Sequence, residues 1–321
     1  LIFKPDSAST PAAATLPPSI PTAIPPSTST PAPPSIPTSA PTPFGGGGAL
    51  AFTTHALQGQ SLEIIAPDGS DRVALGIDLL SCPIWSPDEQ HFLTNRVSYT
   101  DLFRYDLDSG TWNFLLSKTG SWKVADWSPD GSRIALVSTQ DGYYHIYVMD
   151  SDGGNLTRLT DRQSHDQFPQ WYQGDAVVAF QTDFYGPMNI YTAYADGSGL
   201  ANAVTNFFTQ GENGVNEFVI SPDGTMIAYD IYGQYSLYLY DETNGTRTLT
   251  TSANNILEIS FSPDGGWLAY ITTMDYGATS SVCARRIEGD TTEHCLPAFH
   301  NYGSGPTWSP DGTHFAYAGG E

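Results

Sequence analysis

Five copies of Ser-Pro-Asp, at 86–88, 128–130, 221–223, 262–264 and 309–311, constrain what this chain can fold into more than any other feature. Four of them continue into glycine, at 131, 224, 265 and 312. Trp171-Tyr172-Gln173-Gly174-Asp175 fills the one gap as a degenerate copy. A large apolar residue precedes each turn: Trp85, Trp127, Trp171, Ile220, Phe261 and Trp308, spaced 41 to 49 residues apart. A repeat of this period is the mark of stacked supersecondary units.

The rest of the unit recurs with the turn. A short apolar run follows each one, at 91–95, 133–138, 176–181, 226–230, 267–271 and 314–318. After a loop comes a β-branched and aromatic run such as His145-Ile146-Tyr147-Val148-Met149-Asp150 or Ser236-Leu237-Tyr238-Leu239-Tyr240-Asp241. A Gly/Asp/Asn turn, such as Ser151-Asp152-Gly153 or Thr243-Asn244-Gly245, leads to a last short strand. Four short strands with hairpin chemistry between them make a propeller blade. No stretch has the 3.6-residue period of a long helix.

Trp127-Ser128-Pro129-Asp130-Gly131, then Arg133–Ser138, Ile146–Asp150 and Asn155-Leu156-Thr157-Arg158-Leu159-Thr160, resembles the TolB-type propeller repeat. The likeness covers roughly residues 49 to 321. It implies an all-β, six-bladed β-propeller. That family includes peptide-binding periplasmic proteins, peptidase propellers, and sensor or scaffold domains, so it leaves the function open. Six inner-strand anchors stand against seven candidate second strands. The expected closure joins the C-terminal strands to the N-terminal blade, giving six blades; a separate C-terminal blade makes seven.

Composition divides the chain into an arm, residues 1–44, and a propeller, residues 45–321. The arm holds 13 of the 24 prolines, and its only charged side chains are Lys4 and Asp6. Prolines this dense favour extended polyproline II, and the stretch 7–43 reaches roughly 115 Å in that form. Pro17-Pro18-Ser19-Ile20-Pro21-Thr22 recurs as Pro33-Pro34-Ser35-Ile36-Pro37-Thr38. A plain spacer has no need of Ile20, Ile24 and Ile36, so these residues, with Leu1, Ile2 and Phe3, are candidate contacts to apolar grooves on a neighbouring propeller. The other reading of the arm is a stalk, O-glycosylated at residues such as Ser19, Thr22, Thr28, Thr30, Ser35 and Thr38. The missing initiator methionine points to an upstream segment, with Leu1-Ile2-Phe3 either the end of a hydrophobic anchor or an arbitrary start.

Lys4 and Asp6 cancel, so the net charge of −22 falls on the propeller. Such a surface disfavours nucleic acid and anionic membranes and steers cationic partners inward. No hydrophobic run is long enough to insert in a membrane. Three cysteines are too few for a disulfide scaffold. Cys283 and Cys295 flank a hairpin centred on Gly289, which places them opposite each other; an oxidising compartment joins them, and otherwise they are buried thiols. Asp150, Asp152 and Asn155 offer oxygens in one turn and form a candidate calcium site, although the turn departs from the EF-hand pattern. Asn155 and Asn244 fit the N-glycosylation sequon.

No Gly-x-Ser-x-Gly elbow is present, and the seven histidines show no zinc spacing. The sequence therefore predicts neither a catalytic constellation nor a cofactor. Two non-enzymatic readings stand for a prokaryotic protein outside the cytoplasm, at the cell surface or in the periplasm. One is a structural protein whose arm packs on neighbouring copies to build a fibre or layer. The other is a tethered sensor or peptide-binding propeller on a stalk. A propeller-type hydrolase or lyase ranks behind both.

Overall fold

The computed structural model describes residues 2–3, 50–56, 59–65, 70, 72–75, 83–95, 101–117, 122–207, 213–251, 255–274, 279–289, 291–298, 305–309 and 311–317. Most of the arm, including Leu1, Ile20, Ile24, Ile36 and the six Ser and Thr glycan candidates, lies outside these residues. The described residues are all-β.

Their strands form seven antiparallel sheets in chain order. The first holds Leu50–Ala56, Gly59–Ile65 and Val73–Ala74. The second holds Ile84–Trp85, His91–Asn95, Asp101–Asp106 and Thr111–Ser117. The third holds Trp122–Trp127, Arg133–Ser138, His145–Asp150 and Thr157–Arg158. The fourth holds Asp166–Tyr172, Val177–Thr182, Asn189–Tyr194 and Leu200–Ala203. The fifth holds Val215–Ile220, Met226–Ile231, Ser236–Asp241 and Gly245–Thr251. The sixth holds Asn255–Phe261, Trp267–Met274, Thr279–Arg286 and His294–Ala298.

The seventh sheet shows where the expected closure differs. Thr307–Trp308 and Phe315–Ala316 pair with Ile2–Phe3 at the start of the chain, in the register Ile2↔Ala316 and Phe3↔Phe315. The C-terminal strands thus take their third strand from the start of the arm, not from Leu50–Ala56. Among the described residues no hydrogen-bonded pairing merges the first and seventh sheets, and seven sheets are seen. Ile2 and Phe3, expected to contact a neighbouring copy, pair here with their own chain.

The repeated turn shows why each sheet starts as it does. In the third sheet the Ser128 hydroxyl donates to Asp130 at 2.7 Å and accepts the Arg133 N–H at 2.9 Å. Asp130 in turn accepts the Ser132 N–H at 2.8 Å. Gly131, at φ 71°, donates to the Ser128 carbonyl at 2.8 Å. The same pattern recurs at Ser221, Ser262 and Ser309. The second sheet lacks the glycine, and Glu89 adopts the left-handed conformation at φ 57° in its place. In the sheets that carry Ser-Pro-Asp, one serine hydroxyl therefore holds the end of the first strand to the start of the second.

The second strands of the second to fifth sheets are buried on both faces, so they read as nearly continuous apolar runs. Ile134 and Leu136 pack with Leu93 and Leu102 of the second sheet. Their neighbours Ala135 and Val137 pack with Val178 and Phe180 of the fourth. Like clusters join the first sheet to the second, the fourth to the fifth, the fifth to the sixth and the sixth to the seventh.

Ser262 is fully buried and serves both Asp264 and the Trp267 N–H. Replacing it with alanine strands the Trp267 N–H and is expected to cost about 1–3 kcal/mol. Urea denaturation should show a lower midpoint at an unchanged slope. A shift within error of zero would remove the hydroxyl from this role.

Candidate functional site

The first strands of successive sheets touch one another, and polar side chains bind one to the next. The Asp126 carboxylate accepts the Trp171 N–H at 2.9 Å. Gln170 donates to the Phe218 carbonyl at 2.8 Å and accepts the Ile220 N–H at 3.0 Å. Glu217 accepts the N–H groups of Glu258 at 2.6 Å and Ile259 at 3.3 Å. Asp230, on the second strand of the fifth sheet, accepts the Glu217 N–H at 3.0 Å and an Asn216 side-chain N–H at 3.2 Å.

These acids are poorly solvated. Burial, then the neighbouring Glu258 and Asp230 charges, push Glu217 up to about 8. Burial alone drives Asp230 and Asp126 to about 7, against hydrogen bonds that pull the other way. Asp126 is only half-buried as a residue, yet protein surrounds its carboxylate. The turn aspartates behave oppositely. The Ser128 hydroxyl and the Ser132 N–H hold Asp130 at about 2. The Ser309 hydroxyl and the Thr313 N–H do the same for Asp311.

A second feature lies at the sheet ends remote from the Ser-Pro-Asp turns. The loops between second and third strands carry exposed rings: Tyr143 in the third sheet, Phe184 and Tyr185 in the fourth, Tyr232 and Tyr235 in the fifth. Phe168, on a first strand at φ 54°, is also exposed. The His165 ring lies 5.9 Å from that of Tyr143 and 5.6 Å from that of Tyr144, and Asp183 accepts its Nδ1–H at 3.0 Å. Phe184 and Tyr185 meet edge to face at 4.7 Å. The Arg162 guanidinium lies 4.3 Å over the Phe184 ring. Contiguous exposed aromatics of this kind mark interaction surfaces.

The sites expected from sequence fall elsewhere. Asp150 accepts the Asn155 side-chain N–H at 2.6 Å, and Asp152 accepts the Gly154 N–H at 2.9 Å. The oxygens of the candidate calcium turn are thus engaged in the turn itself. Asn155 and Asn244 are exposed, and Asn244 Nδ2 donates to Asp241. Cys283 and Cys295 lie opposite each other in the sixth sheet, with their sulfurs bonded. Sequence reasoning missed the buried acids between the sheets and the loop aromatics. For the acids a signal exists: Asp126 directly precedes its anchor, and Glu217 and Glu258 each stand three residues before theirs.

The raised acids fix the sign of a pH dependence. A carboxyl whose pKa is higher in the folded state stabilises below its unfolded value of about 4.3, and loses that contribution as pH rises through its folded value. Thermal stability should therefore fall from pH 5 to pH 8.5. Glu217→Gln should flatten that fall by removing the titrating carboxyl, although its single amide oxygen can keep only one of the two N–H bonds that the carboxylate takes on separate oxygens. Parallel profiles for the two proteins would contradict the assignment to Glu217.

The family profile described as the TolB beta propeller domain matches residues 50–234. An uncharacterized protein of Agrobacterium fabrum is 32% identical over 158 residues, 46% of this chain and 53% of that protein. The Tol-Pal system protein TolB of Helicobacter hepaticus is 24% identical over 222 residues, 65% of this chain and 51% of that protein. The chain thus spans about half the length of these curated relatives. An oligogalacturonate lyase solved in complex with manganese superposes with a TM-score of 0.69 at 16% identity, covering 84% of this chain and 82% of the lyase. A likeness at that identity concerns the fold alone. With the repeated turn, the four-stranded sheets and the matching profile together, the chain belongs to the TolB β-propeller family.

Proposed function

We propose that this chain is a non-catalytic binding propeller working outside the cytoplasm, which holds a protein partner against the aromatic loops of its third to fifth sheets. The observation that carries this reading is the row of exposed rings on three consecutive loops, all at one end of the sheets. Tyrosine and phenylalanine supply large contact area at little entropic cost, and such residues dominate binding energy where they cluster. The TolB of the Tol-Pal system is a relative. The Cys283–Cys295 bond suits an oxidising compartment. The net charge of −22 favours partners that are neutral or basic overall.

Of the two non-enzymatic readings, the geometry favours binding over fibre building. Fibre building rests on the arm, and the described start of the arm pairs with its own chain. Catalysis finds no support in the buried acids either, because Asp126 and Glu217 serve as hydrogen-bond acceptors between sheets.

Peptides selected against the full chain from a random display library test the assignment. Tyr143→Ala combined with Tyr185→Ala should weaken them at least about 10-fold, the usual effect of truncating aromatic anchors. Tyr194→Ala, an exposed tyrosine near the opposite end of the fourth sheet, should leave them unchanged. Peptides that bind the double variant as well as the wild type would move the site off this face.

A further inference from the structure

A groove of about 550 Å³ runs between the third and fourth sheets, beside the aromatic loops. That is the size of an ordinary small-ligand pocket. The last strand of the third sheet, Thr157–Arg158, is only two residues long, which leaves the neighbouring flank of the fourth sheet uncovered there. Phe180, Tyr191 and Leu200 supply an apolar floor, and Arg158 and Arg162 supply positive charge.

The charge is the unusual element. The chain has 12 basic side chains against 34 acidic ones, and two of the 12 line this groove. Arg158 is committed: it pairs with Asp141 at 3.2 Å and donates to the Thr160 carbonyl at 2.6 Å. Arg162 has no ion pair among the described residues. It lies instead against the ring of Phe184. A guanidinium held flat on an aromatic ring keeps its edge donors free in a fixed plane, the arrangement suited to a carboxylate.

Two further observations narrow the ligand. The Asp161 and Asp166 carboxylates also line the groove, and Asp141 and Asp183 stand close by. Asp166 accepts the Ser164 hydroxyl at 2.9 Å and faces the buried His145. The surroundings of Arg162 are thus acidic, so the groove tolerates one negative charge and repels a polyanion. The apolar floor adjoins the guanidinium, which suits a carboxylate carrying an apolar side chain on the same residue. Asp161 offers an acceptor for an amide N–H group.

We infer that this groove receives the free C-terminal carboxylate of a partner peptide ending in an apolar residue, with Arg162 as its receptor. The inference rests on the binding function proposed above and names the part of the partner that is recognised. The peptide's preceding residues would continue onto Phe184 and Tyr185.

The test uses the full chain and fluorescein-labelled hexapeptides ending in leucine or phenylalanine, each as the free acid and as the C-terminal amide. The free acids should bind, and amidation should weaken them about 10- to 100-fold, the range for hydrogen bonds to a charged group. Arg162→Gln should weaken the acid by a similar factor and leave the amide unchanged, and Arg162→Lys should fall between. Arg162 is exposed, so both variants should keep the wild-type Tm. Equal binding of acid and amide would overturn the inference, as would failure of every peptide. Trigalacturonate is the third arm: binding that depends on Arg162 would make this an acidic-sugar site and also overturn it. If library-selected partners need Tyr143 and Tyr185 but ignore Arg162 and amidation, the binding face stands and this groove falls. If they ignore the aromatic loops as well, both readings fall.

Discussion

A single serine hydroxyl, placed between the first and second strands of a sheet, is the interaction the rest of this structure depends on. At Ser128, Ser221, Ser262 and Ser309 it accepts the N–H five residues on and donates to an aspartate two residues on. The serine and aspartate side chains of the turn are thereby paired within the turn itself. The residue before the serine is held at the same place in each Ser-Pro-Asp turn as a result. From that place the Trp127 indole N–H reaches the Ile84 carbonyl of the preceding sheet at 3.1 Å, and Trp308 reaches the Ser260 carbonyl at 3.2 Å. A local turn thus determines how sheets stack, which is why the motif recurs while the strands between its copies vary.

Stacking also explains part of the inner ring of polar side chains, and the part it leaves over is informative. Asp126, Gln170 and Glu217 each reach from one first strand to the backbone of the next. Gln170 does so without a charge, accepting one N–H and donating to one carbonyl. Glu217, by contrast, accepts its two N–H groups on separate oxygens, which a carboxylate can do and an amide cannot. An acid there costs desolvation that an amide does not. The inner ring consequently responds to pH at the junction of the fifth and sixth sheets, while the turn aspartates, all lowered and with Asp130 and Asp311 held at about 2, stay ionised until acidic conditions.

Much of this architecture was legible because it is local. The Ser-Pro-Asp turns, the apolar runs after them and the Gly/Asp/Asn hairpins all lie within one unit, and each maps onto a strand or turn of the structure. Closure was not legible, because Ile2 and Phe3 sit at the far end of the chain from their partners Ala316 and Phe315. Nothing in a dipeptide so short announces a strand. The binding face was hidden for another reason. Tyr143 and Tyr185 look like any other aromatic of the repeat, and only burial separates them from Tyr147 on a strand. The inner acids had a visible spacing to their anchors, but desolvation is a property of the assembled sheets and not of the spacing.

The two ends of the sheets are built to different rules, and this difference locates function. At the Ser-Pro-Asp end the five Ser-Pro-Asp turns repeat the same serine-centred hydrogen bonds, so their polar side chains are occupied by the fold. At the other end the loops differ in sequence from sheet to sheet, and their aromatic side chains point to solvent. Gly142 and Gly186, at φ 93° and 113°, bend two of these loops sharply beside Tyr143 and Tyr185. Exposed rings bring no stacking advantage, since the clusters between sheets are complete without them. Arg162 follows the same logic: a guanidinium in a strongly acidic protein would ordinarily find a carboxylate, and here it rests on Phe184 at the mouth of a groove. Features that the fold does not need, gathered at the end the repeat leaves free to vary, are where a partner is met.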